Sequence, residues 1–318
     1  MYKVLCPICR SPHTMKNGRR NGIQLYVCRD CRYHFRNIRH ASDEQIWSMY
    51  MKNKQTISEI SAILNVSEST VKRRLRGISI KWEQPQLSGS GFVNIDATYW
   101  GRNTGILVAI DSSSGKPLYL KFIRHEKVAD YTEAIASIEG RGYSIKGVVL
   151  DGFKALFGEL SPDYKLRMCQ FHLKQIVRRY LTLNPRLLAA RGLKAIIDEI
   201  VTAREEDFID QYDQWKETWK ETLNRRTRSS VTGKLHYTHK RLRTAMNSVD
   251  FFLPHLFTYQ DEGCKGMPNT NNKIEGTFTD LKKNLNNHSG MTAENRERFI
   301  SGFFLALLDT QSMKEKQE

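Results

Sequence analysis

No apolar run in the sequence approaches the ~20 residues that a membrane-spanning helix needs. The start, Met1 to Arg10, carries Cys and Pro and lacks the apolar core of a secretory signal. An intracellular protein is therefore expected. Acids are scarce: 34 Asp and Glu face 50 Lys and Arg, a formal net charge of +16, and the isoelectric point is about 9.6. Such a deficit of negative charge points to a polyanionic partner. Cysteine is sparse too, six in 318 residues, and a reducing compartment disfavours disulfides. The spacing of the cysteines needs another explanation.

What is present is a length sufficient for two or three domains with their own cores and a hydrophobic content of 40%. The basic excess is uneven. Residues 1–91 hold 16 Lys and Arg against 6 Asp and Glu, so most of the surplus lies in the first third of the chain.

Four cysteines in that third form two C-x-x-C pairs, Cys6/Cys9 and Cys28/Cys31, with 18 residues between the pairs. Each such turn sets two thiolates on one side of an ion, and two turns complete the tetrahedron zinc prefers. Lys16-Asn17-Gly18 reads as a turn, and Gln24 to Val27 as a strand. Residues 1–40 thus read as a zinc ribbon. His13 and His34 stand nearby as alternative ligands, but four cysteines already fill the site. Arg19, Arg20, Arg29, Arg32, Arg36 and Arg39 surround it, a density that favours phosphate contact over a merely solvated surface.

Residues 41–80 read as a helix-turn-helix. Ser42-Asp43-Glu44 opens a helix with a cap and early acids. A second helix covers Ile57 to Leu64, a turn follows at Asn65-Val66-Ser67, and a third helix runs to Arg76. Ile57, Ile60, Ile63, Leu64, Val66, Val71 and Leu75 supply the packing face. Ser69, Thr70, Lys72, Arg73 and Arg74 then remain for a major groove. Ser88-Gly89-Ser90-Gly91 reads as a linker.

Beyond the linker the pattern changes to α/β. Strands are expected at 91–99, 106–110, 118–123, 146–152 and 165–169. Helices are expected near 127–139 and 171–183. A three-strand meander followed by alternating helices and strands is the order of a ribonuclease-H-like domain, in which the first and fourth strands are parallel neighbours. Asp96 and Asp151 would then meet at one sheet edge. Adjacent carboxylates repel unless cations lie between them, and magnesium (or manganese) takes oxygen ligands of this kind. Glu275, opening a helix in Asn271-Asn272-Lys273-Ile274-Glu275-Gly276, is the third candidate. Rival acids have plainer roles: Asp111 in a hairpin, Asp163 in a turn, Glu294 and Glu297 on an exposed helix face.

These residues resemble a family. Asp96 in Asn-Ile-Asp-Ala-Thr, Asp151 in Leu-Asp-Gly, Cys169-Gln-Phe-His172 and Asn271 to Gly276 look like the motifs of Mutator-like bacterial insertion-sequence transposases with an N-terminal zinc ribbon. The resemblance covers roughly the whole chain. It implies a DDE transposase that cuts at terminal inverted repeats, joins the ends to target DNA, and resides in a bacterial cytoplasm, nucleoid-associated when bound. It implies a helical insertion before the Glu, a homodimer or higher oligomer on DNA, and a role for His172 near the scissile strand. Cys169 is read as structural, and neither it nor His172 as a metal ligand.

The expected layout is a ribonuclease-H-like core at 91–184 and 266–310, interrupted by an all-helical insertion at 185–265. In that insertion Phe208, Tyr212, Trp215 and Trp219 form a stripe read as core, with stacking of one Trp on an unpaired base as the alternative. Residues 225–243 hold seven Lys or Arg and no acid, either a solvated loop or a DNA-backbone contact. Two other functions remain open: a catalytically silent DNA-binding regulator, and a structure-specific nuclease of the same fold.

Overall fold

The computed structural model describes residues 4–20, 23–36, 41–288 and 290–314, with side chains as far as 309. Arg39, one of the basic residues named above, and the boundary at residue 40 lie outside the described residues. The chain divides into two compact units, Met1–Ile78 and Ser79–Glu318. No helix among the described residues is long and apolar enough to cross a membrane.

The first unit begins with a three-stranded antiparallel sheet: β1 (Thr14–Arg20), β2 (Ile23–Cys28) and β3 (His34–Arg36). The expected turn at Lys16-Asn17-Gly18 is not one. These residues continue β1 through a bulge between Lys16 and Arg19, where Gly18 adopts a φ of +73°. Glycine at positive φ serves a bulge as readily as a turn, which is why the sequence misleads. Helices α1 (Asp43–Met51), α2 (Ile57–Leu64) and α3 (Glu68–Gly77) follow. Ser42 and Thr56 each close a reciprocal capping box, with Gln45 and Glu59 respectively. Each box satisfies two backbone donors that the first turn would otherwise orphan. Asn65 ends α2 in the left-handed region, φ 51°, and Ser67 caps α3. Ile46, Tyr50, Met51, Ile60, Val71 and Leu75 form the buried face of the three helices.

The second unit is built on a mixed five-stranded sheet of β4 (Ser90–Gly101), β5 (Thr104–Asp111), β6 (Pro117–Ile123), β7 (Ser144–Leu150) and β8 (Leu166–Met168), in the order β6-β5-β4-β7-β8. The first three strands pair antiparallel, and β7 and β8 add parallel to them. The helices α4 (Val128–Gly140), α5 (Lys154–Leu160) and α6 (Gln170–Leu181) make the connections and cover the sheet. The expected meander and the parallel first and fourth strands are both present. Val93, Ile95, Leu107, Ala109, Val148 and Leu150 pack with Tyr131, Ile135 and Phe157 in one continuous core.

That core extends into α7 (Leu188–Glu199), α8 (Glu205–Thr218), the short α9 (Lys220–Asn224) and α10 (Lys240–Phe252). Phe208, Tyr212 and Trp215 are buried and stacked on one another, and the Trp215 indole donates to the Ala189 carbonyl at 2.8 Å. Trp219 packs against the same cluster, so the stripe is core. The segment is not all-helical, however. The basic stretch forms a hairpin of β9 (Arg226–Arg228) and β10 (Leu235–Tyr237). Cross-strand pairs hold it: the Arg226 guanidinium lies 4.8 Å from the Tyr237 ring centre, and the Thr227 and Thr238 hydroxyls are 2.7 Å apart. Lysine and arginine carry no strand periodicity, so a run of them hides the hairpin. After three short 3-10 turns the chain enters α11 (Asn272–Asn287) and α12 (Ala293–Lys314). Phe299, Ile300, Phe303 and Phe304 of α12 are buried, as its amphipathic pattern suggests.

Candidate metal and nucleic-acid sites

Strand register brings the two aspartates together. Asn94 pairs with Val149 across β4 and β7, and two residues further along each strand lie Asp96 and Asp151. Asp96 is buried within β4, while Asp151 follows the last residue of β7. The carboxyl ends of parallel strands are where an open α/β sheet leaves a crevice. Gly152 admits α6 there, since a Cβ at this position would stand 2.5 Å from Ile176 Cδ1.

Burial, joined by the negative field of Asp151, Glu126 and Glu275, pushes the Asp96 carboxyl well above its ordinary range; the Ala97 N–H donates to Asp96 at 2.8 Å and opposes the shift. Burial also raises Asp151, against an N–H donated by Phe153 at 3.1 Å. Glu126 is a fourth carboxylate, one that no sequence pattern marks. It too is raised, by burial and by Asp151, although the fully buried Tyr131 hydroxyl donates to it at 2.7 Å. Glu126 sits between β6 and α4 in Arg-His-Glu-Lys, where flanking charges make it look like solvated loop. Asp96 thus lies in the field of the other three carboxylates, and burial penalises the charge of Asp96, Asp151 and Glu126.

Helix α11 is fixed to this edge by amide and hydroxyl groups and by one buried guanidinium. Side chains at alternate strand positions share a face, so Asn94 lies on the face of Asp96. Its amide donates to Asn271 Oδ1 at 2.5 Å, and Ser112 Oγ donates to Asn94 Oδ1. Arg167, fully buried on β8, donates to the carbonyls of Pro268 and Asn269 and lies 4.3 Å over the Tyr259 ring. Burial brings this guanidinium down to about 10. Glu275 follows in the first turn of α11, its Oε1 3.6 Å from Nδ1 of His172 on α6. Burial keeps His172 below the ordinary imidazole value, against the pull of Glu275.

Arg167→Met removes two charge-assisted bonds and frees residues 268–271. A loss of about 3 kcal/mol is expected, read as a melting point lower by roughly 10 °C. Lysine should not restore it, because a single ammonium does not reproduce the guanidinium fork. An unchanged melting point in Arg167→Met would show that the segment is held by something else.

In the first unit the four cysteine sulfurs all lie within 4.8 Å of one another. Cys6 and Cys31 are 3.5 Å apart, as are Cys9 and Cys28, and all are free thiols. Burial works against ionising Cys6, but the N–H groups of Cys9 and Ile8 and two neighbouring thiols bring it down to about 7. The N–H groups of Cys31 and Asp30 lower Cys28 in the same way. Backbone donors aimed at sulfur stabilise the thiolate form that binds metal, and the cluster could hold a zinc ion.

On α3, Ser69, Lys72 and Arg73 are exposed, with Lys72 3.4 Å from Glu68. Thr70 is half-buried and its hydroxyl lies 2.9 Å from Ser67 Oγ. Arg74 turns toward α1 and donates to Asp43 at 2.6 Å. The basic hairpin of the second unit borders an open groove lined by Tyr180, Arg186, His236, His239, Lys240 and Arg241.

No family model and no curated protein matches the chain. Among solved structures, it is similar to the Drosophila P element transposase strand transfer complex, at 9% sequence identity and a TM-score of 0.33, over 88% of this chain and 81% of that one.

Proposed function

We propose that the chain is a DNA transposase of the DDE type, with a ribonuclease-H-like catalytic unit whose acidic residues are Asp96, Asp151 and Glu275. The observation that carries this reading is the meeting of Asp96 and Asp151 at the carboxyl edge of the sheet, with Glu126 and Glu275 in electrostatic range. Buried neutral cores do not gather like charges at such cost. The motif resemblance to Mutator-like insertion-sequence transposases agrees with the placement.

Asp96, Asp151 and Glu275 would hold divalent cations of the magnesium class. When bound, these ions would supply charge stabilisation for in-line displacement at a phosphodiester. The protein's own groups do the rest. Asp96 presents a preformed oxygen from a rigid strand. Asp151 is oriented by the Phe153 N–H. Asn94, Asn271 and Arg167 fix the start of the helix that carries Glu275. His172, whose imidazole is made harder to protonate by burial, would meet the scissile strand. Water would attack the phosphodiester at the element end, breaking its P–O3′ bond to leave a 5′-phosphate and a free 3′-hydroxyl; that hydroxyl would then attack a target phosphodiester, forming a new P–O bond as the target strand's own 3′-hydroxyl leaves.

The ribbon and helix-turn-helix would read the element ends, and two copies of the chain would hold the two ends together. Arg73→Ala and Lys72→Ala are each expected to weaken end binding. A residue that touches only phosphate lowers affinity evenly across sequences and cuts the salt dependence by about one ion. A residue that reads a base edge costs about 1–3 kcal/mol on the cognate end alone. Binding titrations over a salt series separate the two roles, and no change with either variant would remove α3 from the interface.

The test of the whole reading is a cleavage and joining assay in magnesium, on DNA carrying the ends of the element that encodes the chain. Joined products support it. Cleavage without joining indicates a nuclease, and tight end binding without cleavage under any divalent ion indicates a regulator.

A further inference from the structure

Cys169 and His172 form a C-x-x-H turn that has no further metal ligand near it in the chain. The fold supplies one from 103 residues away. Cys169 Sγ, a His172 ring nitrogen and a Glu275 carboxylate oxygen all lie within 4.8 Å of one another. Ligand atoms around a tetrahedral zinc stand about 3.3–3.8 Å apart, given bond lengths near 2.0–2.3 Å, and the His172 to Glu275 separation is 3.6 Å. That distance is long for a hydrogen bond between them. Both His172 Nδ1 and Glu275 Oε1 are shut off from solvent and make no hydrogen bond. Leaving two such atoms unsatisfied is costly, and a shared cation would relieve both at once.

The surroundings of the sulfur are a second, independent observation. In the N-terminal cluster the leading cysteine of each pair accepts backbone N–H groups from the residues two and three places on: Ile8 and Cys9 at Cys6, Asp30 and Cys31 at Cys28. Cys169 repeats this turn, with Phe171 and His172 as donors, and adds the Asn271 N–H at 3.3 Å. The same arrangement of backbone donors around a cysteine sulfur therefore occurs three times among the described residues, twice in the ribbon and once at the start of α6, where burial nonetheless outweighs it and raises the thiol.

We infer that Cys169, His172 and Glu275 form a second binding site for a soft divalent cation of the zinc class, with three protein ligands and a fourth position left to water or substrate oxygen. Cys169 is fully buried, whereas His172 and Glu275 keep about a quarter of their side-chain surface, 24% and 29%. Solvent therefore reaches the imidazole and the carboxylate but not the sulfur, while Nδ1 and Oε1 themselves are enclosed. Thiolate and imidazole select zinc over magnesium, so this site and the aspartates would sort two ions by chemistry while sharing Glu275. The inference shares that residue with the proposed catalytic reading and does not otherwise depend on it.

The test is metal content of the full chain after zinc loading and removal of loosely held ion, measured by elemental analysis. One equivalent belongs to the four ribbon cysteines, and a second is expected here. His172→Asn and Glu275→Gln, each at a half-exposed position, should both lose the second equivalent and keep the first; Cys169→Ser should do the same if it folds, which its thermal melt reports. In the cobalt-substituted protein, the absorption of a single thiolate ligand should vanish in His172→Asn while the tetrathiolate spectrum stays. A wild-type chain with one equivalent only, or a second equivalent that survives both His172→Asn and Glu275→Gln, overturns the site. If Glu275→Gln stops DNA cleavage while the wild type holds one equivalent, the catalytic reading stands and this one fails. A second equivalent lost in both variants, with no cleavage by the wild type under any ion, sustains this site and removes the catalytic reading.

Discussion

Asp151→Ala is expected to abolish DNA cleavage and joining, a fall of about a thousandfold or more, the scale on which a closed site loses a preorganised electrostatic group. Asp96→Asn should do the same with almost no change in shape. The expectation rests on charge rather than packing. Asp96 lies within β4 and Asp151 just past the end of β7; burial holds the protons of both abnormally tightly, and the negative field of its acidic neighbours adds to this at Asp96. A neutral amide at Asp96 keeps volume and hydrogen-bonding capacity but offers no charge to a cation. End binding, proposed for the other compact unit, should be unaffected in both variants, which separates a chemical defect from misfolding. A fully active Asp151→Ala would remove the acidic cluster from the reaction altogether.

Asp96→Asn should also be more stable than the parent without divalent ions, and the direction follows from proton linkage. The folded-state value of Asp96 lies above its ordinary 3.8, so the folded chain binds that proton more tightly than the unfolded chain. Stability is therefore greatest on the acid side of this window, falls as pH rises through it, and stays low above the folded value. Asp151 and Glu126 shift in the same direction and add to the slope. Magnesium should restore what alkaline pH removes. Thermal melts with and without magnesium, at mildly acidic and mildly alkaline pH, should show a gain of a few degrees with the ion, the effect of about 1 kcal/mol in a domain of this size. In Asp96→Asn both the pH slope and the magnesium gain should shrink. A parent protein whose melting point ignores both would mean that the carboxylates are not electrostatically strained.

Much of this edge is legible in the sequence because strands advertise themselves. Alternation and apolar runs place β4 and β7, and an Asp where each apolar run ends is visible in one dimension. The capping boxes of α1 and α2 are equally local, each confined to four residues. What escapes the sequence is what depends on long-range pairing. Glu126 joins the site only because the folded sheet brings it into the field of Asp96 and Asp151, and no local pattern distinguishes it from its charged neighbours. The nearness of Glu275 to Cys169 is invisible for the same reason, since the two meet only after α11 docks on β4 and the segment before it on β8. The hairpin at 226–237 is hidden differently. Its stability comes from cross-strand Arg–Tyr and Thr–Thr pairs rather than from an apolar face, so hydrophobic periodicity is silent about it. Arg74 marks a further boundary. Its placement on a basic helix suggests DNA, but the docking of α1 against α3 gives it Asp43 as a partner.

Removing zinc, or replacing Cys28 with Ser, is expected to unfold the ribbon completely. Among the described residues before Ala41, only Cys6 and Cys28 are buried. The sheet of β1, β2 and β3 therefore has no apolar core, and its ring contacts, such as Tyr26 on Phe35 at 5.9 Å, lie on a solvated surface. Domains below about 40 residues rarely hold a fold without a staple, and a structural zinc contributes roughly 10–16 kcal/mol at neutral pH. No other interaction among the described residues of the ribbon approaches that scale. Cys28 is the most sensitive position, because its sulfur is fully enclosed and gathers the Cys31 and Asp30 N–H groups; serine there leaves those donors with a hard oxygen that zinc holds poorly in this setting. Amide resonances of residues 14–36 should collapse to unfolded positions on chelation, while those of 90–123 remain dispersed. Affinity for the element ends should fall with the ribbon. Cys169→Ser makes the complementary control, since it should leave the ribbon resonances in place. Dispersed ribbon amides in a chelated protein would mean that the four thiols are held by the fold and not the reverse.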